Sequence, residues 1–145
     1  MSQRKAIRKN KAVLDIVLNK IDPIAPTSSH TALERDNLRL AQRCKTIILE
    51  KKGLDPLVLD LRQISSFVDF FVVCTATSEP HLKALVFELE KKIREEFRLE
   101  PIHIDGSPKS HWIIIDYGPL LIHVFTEKER AFYELEKLWG DAPVL

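Results

Sequence analysis

Trp112-Ile113-Ile114-Ile115-Asp116-Tyr117-Gly118-Pro119-Leu120-Leu121-Ile122-His123-Val124-Phe125 is the stretch on which the fold turns. Two short apolar runs, rich in branched and aromatic residues, read as strands. The Tyr117-Gly118-Pro119 connection between them is too short for anything but a hairpin. Alternation puts Trp112, Ile114 and Asp116 on one face of the first strand and Ile113 and Ile115 on the other. The second strand divides into Leu120, Ile122 and Val124 against Leu121, His123 and Phe125. Both faces are largely apolar, so helices are needed to cover them.

Upstream, Ile102-His103-Ile104 reads as a weak strand. Ser78-Glu79-Pro80 starts a helix: a capping hydroxyl, an acid favoured by the dipole, and a proline where no amide is needed. Leu82, Leu85, Val86, Leu89, Ile93 and Phe97 follow at helical spacing. Residues 57–61 and 68–74 read as two more strands. Thr31-Ala32-Leu33-Glu34 forms a capping box before a helix that Gly53 closes with a left-handed backbone. Downstream, Thr126-Glu127-Lys128-Glu129 is a second capping box. It opens a helix running to Trp139, with Phe132, Leu135, Leu138 and Trp139 as its apolar stripe. The order α-β-β-α-β-β-β-α predicts an α/β fold, one mixed sheet flanked by helices.

The chain of 145 residues is one domain's worth. With 45% hydrophobic and 30% charged residues it is not disordered throughout, and no run reaches the ~18–20 apolar residues of a membrane span. The start lacks the apolar core of a secretory signal. Cys44 and Cys74, far apart and without a CxxC, exclude a disulfide scaffold and a Cys-rich zinc site and fit a reducing compartment. A soluble intracellular domain is the expectation.

A net charge of +1 conceals an asymmetry. Residues 1–52 carry 12 Lys/Arg against 5 Asp/Glu, whereas residues 53–145 carry 10 against 16. The basic part holds a short amphipathic helix over residues 6–20 and a Pro/Ser linker over 22–29, so residues 1–30 read as an extension and 31–145 as the domain. The arm is suited to touching RNA phosphates; a solvated basic helix is the plainer reading. Its composition also allows an organelle transit peptide.

Four glycines, Gly53, Gly106, Gly118 and Gly140, write no P-loop, no GxGxxG and no GxSxG. The histidines make no HxH or HExxH, leaving only a convergence of His103, His111 and His123 on adjacent strands as a metal candidate. Ser65, Ser78, Ser107 and Ser110 fit turns and caps, and Cys74 fits a core strand. Gly106-Ser107 followed by Asp116-Tyr117-Gly118 imitates the nucleotidyltransferase signature, with Gly118 where a second metal-binding acid is required.

Trp112 to Gly118, Ile122 to Phe125, Arg130, and Tyr133-Glu134-Leu135-Glu136-Lys137-Leu138-Trp139 together resemble the ribosomal silencing factor (Iojap, RsfS) family. Asp60, Asp69, residues 73–78 and Gly106 fall at matching places. Ala76 departs from the family's usual glycine, and Pro80 from a common basic residue. The resemblance implies a nucleotidyltransferase-like fold without its catalytic acids, no cofactor, no metal and no turnover. It implies binding to the large ribosomal subunit through its fourteenth protein, which excludes the small subunit and represses translation. Organelle members act in large-subunit assembly.

Trp112, Ile114, Asp116, Tyr117, His123 and Phe125 are then the expected partner-binding residues. Trp112, at the polar start of its strand, is read as a partly exposed anchor, with a core lid as the alternative. His123 would make the contact pH-sensitive. A nucleotidyltransferase-like enzyme using Asp60, Asp69 and Asp116, and an RNA-binding module using the arm, are the competing classes. Bacterial cytoplasm is the expected location, with an organelle and a homodimer of the free protein left open.

Overall fold

The computed structural model describes residues 30–145, with side chains from Arg35 onward. The expected helix over 6–20 and the linker over 22–29 lie outside the described residues. Helix α1 (His30–Glu50) precedes strands β1 (Leu54–Asp60) and β2 (Phe70–Ala76), then helix α2 (Glu79–Phe97). Strand β3 (His103–Ser107), a short 3-10 turn (Pro108–Ser110), β4 (Trp112–Asp116) and β5 (Leu120–Thr126) follow. Helices α3 (Glu127–Tyr133) and α4 (Leu135–Leu138) come last. The sheet order is β1-β2-β5-β4-β3, with β2 and β5 parallel and every other pair antiparallel. A mixed sheet flanked by helices is therefore what the chain forms.

The two faces follow the alternation in the sequence. Phe70, Val72, Ile113, Ile115, Ile122 and Val124 meet Ala41, Cys44 and Ile48 of α1 and Leu82, Leu85 and Leu89 of α2. The opposite face carries Leu59, Phe71, Val73, Trp112, Ile114, Leu121 and Phe125. It is covered by Leu135 and Ala142, with Tyr133 and Trp139 packed alongside. Burial on both faces supplies the main driving force. The tail adds to the β1 edge, where the backbone N–H of Asp60 donates to the Pro143 carbonyl (2.8 Å) and that of Leu145 to the Val58 carbonyl (2.8 Å).

Helix ends show where local reading succeeds. The Ser78 hydroxyl accepts the His81 N–H (3.1 Å), and Pro80 sits in the first turn, as expected. Three other ends differ. Helix α1 already includes Thr31, so the expected capping box does not mark its start. Its C-terminus uses Lys52, at φ 63, as the left-handed residue. Gly53 donates to the Ile48 carbonyl (2.8 Å) and is needed for space, since a Cβ there would lie 2.3 Å from Ile48 Cγ2. At Thr126 the expected capping bond is absent: its hydroxyl is buried, with no hydrogen-bond partner among the described residues.

The expected single helix to Trp139 is also corrected. Glu134 adopts φ 46, and the break divides the segment into α3 and α4. The new direction buries Leu135, while Phe132 before the break and Leu138 after it are each 39% exposed. The four-residue apolar stripe is therefore not one continuous core face.

Candidate partner-binding site

Strand register assembles most of the expected residues. Trp112 pairs with Phe125, Ile114 with His123, and Asp116 with Leu121, so Trp112, Ile114, Asp116, His123 and Phe125 share the face covered by α3 and α4. Tyr117 does not join them. It belongs to the helix-covered core on the other face, where burial pushes its phenol pKa up. The parity that groups it with Ile113 and Ile115 is legible in the sequence.

Exposure corrects the reading of Trp112 as a partly exposed anchor. The residue is only 7% exposed. Its ring lies 4.4 Å from that of Phe125 and 4.6 Å from that of Tyr133, and its Nε1–H donates to His123 Nδ1 at 3.3 Å. Tyr133, carried in by α3, covers the indole, which is the physical reason the polar start of the strand does not leave it open. Offset aromatic contacts of this kind add about 0.5–1.5 kcal/mol beyond area burial. Ile114 and Phe125 are buried as well.

His123 is fully buried, and desolvation pushes its pKa down to about 3. The ring is therefore neutral near pH 7, which corrects the expectation of a pH-sensitive contact. With Nδ1 accepting from Trp112, the ring proton resides on Nε2. Among the described residues that atom has no conventional hydrogen-bond partner, while the ring meets Phe71 edge-on at 4.7 Å.

Asp116 is a turn residue: its Oδ1 accepts the Gly118 N–H at 2.7 Å, and Gly118 supplies φ 93 for the hairpin. The other aspartates are held separately. Arg62 donates to both oxygens of Asp60 (2.9 and 2.7 Å), which lowers that carboxyl's pKa. Asn37 donates to Asp69 at 3.0 Å. Asp60 and Asp116 end strands that have β2 and β5 between them. At about 4.8 Å per strand this separates their backbones by about 14 Å, against the ~3.5–4 Å between ions of a two-metal site.

The histidine candidates are spread in the same way. His103 lies opposite Asp116, His123 opposite Ile114, and His111 contacts Glu79 at 3.1 Å. Among the described residues no group of three or more His, Cys, Asp or Glu could hold a metal ion. Burial raises both thiols, Cys74 to about 12, so neither is an activated nucleophile. Ser107 and Ser110 cap one another's backbone, and Ser65 accepts from the Phe67 and Val68 amides. Gly106 is required by close approach, since a Cβ would lie 2.1 Å from the Trp112 carbonyl oxygen. The Gly-Ser pair is thus a strand-and-turn device.

Two features exceed the expected set. Arg130, in the resemblance but not among the site residues, clamps the region. Its Nε donates to Glu136 (2.6 Å), and its Nη1 donates to the Asp55 carbonyl (2.7 Å) and the Thr75 hydroxyl (2.9 Å). It lines a cleft of about 540 Å³ with Leu54, Glu127 and Lys137. Phe132 is the second: it is exposed, yet its ring meets Tyr133 at 5.0 Å and 88°. The left-handed Glu134 that sets this geometry has no signature in the sequence.

With this arrangement in place, the comparisons with known proteins are specific. Residues 34–145 match the family described as "Ribosomal silencing factor during starvation". A ribosomal silencing factor RsfS from Halalkalibacterium halodurans is 38% identical over 75% of this chain and 92% of its own length. A mouse protein named mitochondrial assembly of ribosomal large subunit protein 1 is 31% identical over 65% of this chain and 42% of its own length. A crystal structure of a Bacillus halodurans protein superposes with a TM-score of 0.61 at 35% identity, covering 77% of this chain and 97% of that one. One from Chromobacterium violaceum gives 0.67 at 25% identity, covering 71% and 85%. The chain belongs to the ribosomal silencing factor family.

Proposed function

We propose that this chain represses translation by binding the large ribosomal subunit through its fourteenth protein and excluding the small subunit by occupancy. The observation that carries the reading is the family match over residues 34–145. Relatives named ribosomal silencing factor and large-subunit assembly protein support a ribosome-associated role. In this reading Trp112, Ile114, Asp116, Tyr117, His123 and Phe125 build the hairpin that shapes the partner surface. Its buried members act by holding that surface rigid. The protein works without turnover or cofactor; the separate tethering of Asp60, Asp69 and Asp116 supports this over a nucleotidyltransferase.

The location is bacterial cytoplasm, on the ribosome, supported by the bacterial relatives. The mouse relative's name supports large-subunit assembly as a second reading. The basic N-terminal segment adds contact with ribosomal RNA without specificity.

Co-sedimentation with purified large and small subunits tests the proposal. Pelleting with the large subunit alone, and inhibition of subunit joining in proportion to occupancy, are expected. Binding to neither subunit would sink it. Binding without inhibition of joining would favour the assembly reading. Deleting residues 1–27 should weaken binding modestly and flatten its salt dependence, because fewer phosphate counterions are released. An unchanged slope removes the RNA contact.

A further inference from the structure

Four rings form a continuous path from the core to solvent. His123 is fully buried, its ring 5.9 Å from Trp112; Trp112 lies 4.6 Å from Tyr133, and Tyr133 lies 5.0 Å from Phe132. Phe132, at the outer end, is 39% exposed. A single exposed apolar side chain is ordinary. This one differs because it stands on aromatic neighbours whose positions are already fixed. Its contact face can thus be presented with little further loss of rotamer freedom, as at the aromatic centres of protein interfaces.

The net charge of the segment that carries it bears on the partner. Residues 127–141 hold Glu127, Glu129, Glu134, Glu136 and Asp141 against Lys128, Arg130 and Lys137. Arg130 is paired with Glu136 and Lys137 with Glu134. The remaining formal charge is negative, so this segment repels RNA phosphates and attracts a surface rich in lysine and arginine.

We propose that Phe132, seated on Tyr133 and Trp112, is the aromatic anchor of the partner contact, and that it docks on a basic protein surface of the large ribosomal subunit. The inference rests on the ribosome-binding reading and adds to it the residue and the chemistry of its partner. The expected anchor thus moves from Trp112 to the ring at the end of the same stack, and Trp112 becomes a positioning residue.

The test uses the full-length chain with Phe132→Ala, Phe132→Glu and Phe132→Lys, measured for melting and for affinity to purified large subunits. The side chain is exposed, so all three should melt near the wild type. Phe132→Ala should weaken binding at least tenfold. Phe132→Lys should weaken it further than Phe132→Glu, because a cation is then placed against a basic partner. A wild-type chain that pellets while Phe132→Ala binds equally well would overturn the anchor and leave the ribosome reading intact. A wild-type chain that fails to pellet would overturn both. Lysine less damaging than glutamate would point to RNA and overturn the protein partner. Two further results would do the same: conversion of a dimer of the free chain to monomer by Phe132→Ala, or tighter binding by the wild type after deletion of residues 1–27. The first would assign the ring to a second copy, the second to the chain's own arm.

Discussion

The two faces of the sheet are covered by different means. One lies under α1 and α2, helices of 21 and 19 residues, and is built mostly from aliphatic side chains with two thiols. The other lies under α3 and α4, of 7 and 4 residues, and the tail, with Trp112, His123, Phe125 and Phe71 beneath them. Long helices can cover a face by repeating one apolar stripe. Short, broken ones need large rings to fill the same area: those beneath them are buried, while Phe132 on α3 itself is left at the surface. The first face therefore serves mainly as a core, and the second combines a core with a presented surface.

The largest effect tests whether the aromatic face is a core at all. Trp112→Ala should cost about 3–5 kcal/mol, as buried tryptophan truncations do. An interface anchor would instead have kept near-native melting. On the aliphatic face, Leu85→Ala should cost about 2–5 kcal/mol and leave large-subunit affinity unchanged under conditions where the variant is folded. Chemical denaturation with a binding assay on the folded fraction checks both. A Trp112→Ala protein that melts like the wild type would break the comparison.

These expectations show what the sequence makes legible. Period-two alternation assigned the hairpin faces correctly, because a strand leaves its side chains no third direction. The same rule already separates Tyr117 from Trp112. Burial of Trp112 was not legible, because Tyr133 arrives from a distant segment by way of a helix that stops at Glu134. No local pattern announces that stop, since glutamate is an ordinary helix residue. At Thr126 the pattern for a capping box is present while the bond is not. Capping motifs state a local preference, and the packing of the threonine decides the outcome. The six candidate residues were found as a cluster, but five of them on one face and none as an exposed anchor.

Arg130 tests how the short helices stay in place. Its guanidinium joins α3 to Glu136 of α4, to the β1 backbone at Asp55, and to Thr75 of β2. Arg130→Met keeps much of the aliphatic stem and removes these bonds. A hydrogen bond to a charged group is worth about 1.5–3 kcal/mol, and of the partners left behind only Thr75 is buried while Glu136 and the Asp55 carbonyl stay partly open to water, so a cost of about 2 kcal/mol is expected. Hydrogen exchange should rise in 127–139 before it rises in α1. Uniform loss of protection would mean that the aromatic face has no separate clamp.

Acid should act on the aromatic face through His123. Its pKa is about 3 in the folded chain and about 6.5 when unfolded. Between these values the unfolded state binds the extra proton. The contribution is fully present above about pH 6.5 and is lost as pH falls toward about 3. By pH 5 the loss should be about 2 kcal/mol relative to pH 7.5. His123→Asn will be less stable at neutral pH, and its stability should vary less over this window. An equal slope in wild type and variant would place the acid sensitivity elsewhere.

The smallest effect concerns the break itself. Glu134 holds φ 46, a left-handed conformation costing a non-glycine residue roughly 1–2 kcal/mol. Glu134→Gly removes that strain. It also gives the unfolded chain more freedom, worth about 0.4–1 kcal/mol in the opposite direction, and removes a pair with Lys137, which is largely exposed and contributes little. Net stability should therefore change by less than about 1 kcal/mol, with the stack of Phe132, Tyr133 and Trp112 preserved. Glu134→Val is the informative counterpart, because a branched side chain tolerates the left-handed region least. It should cost about 1–2 kcal/mol of added strain or straighten α3 into α4. Straightening would lift Tyr133 from the indole, and Trp112 emission would shift to the red as water reaches it. If valine leaves both melting and emission unchanged, the break at Glu134 is not what orients the aromatic face.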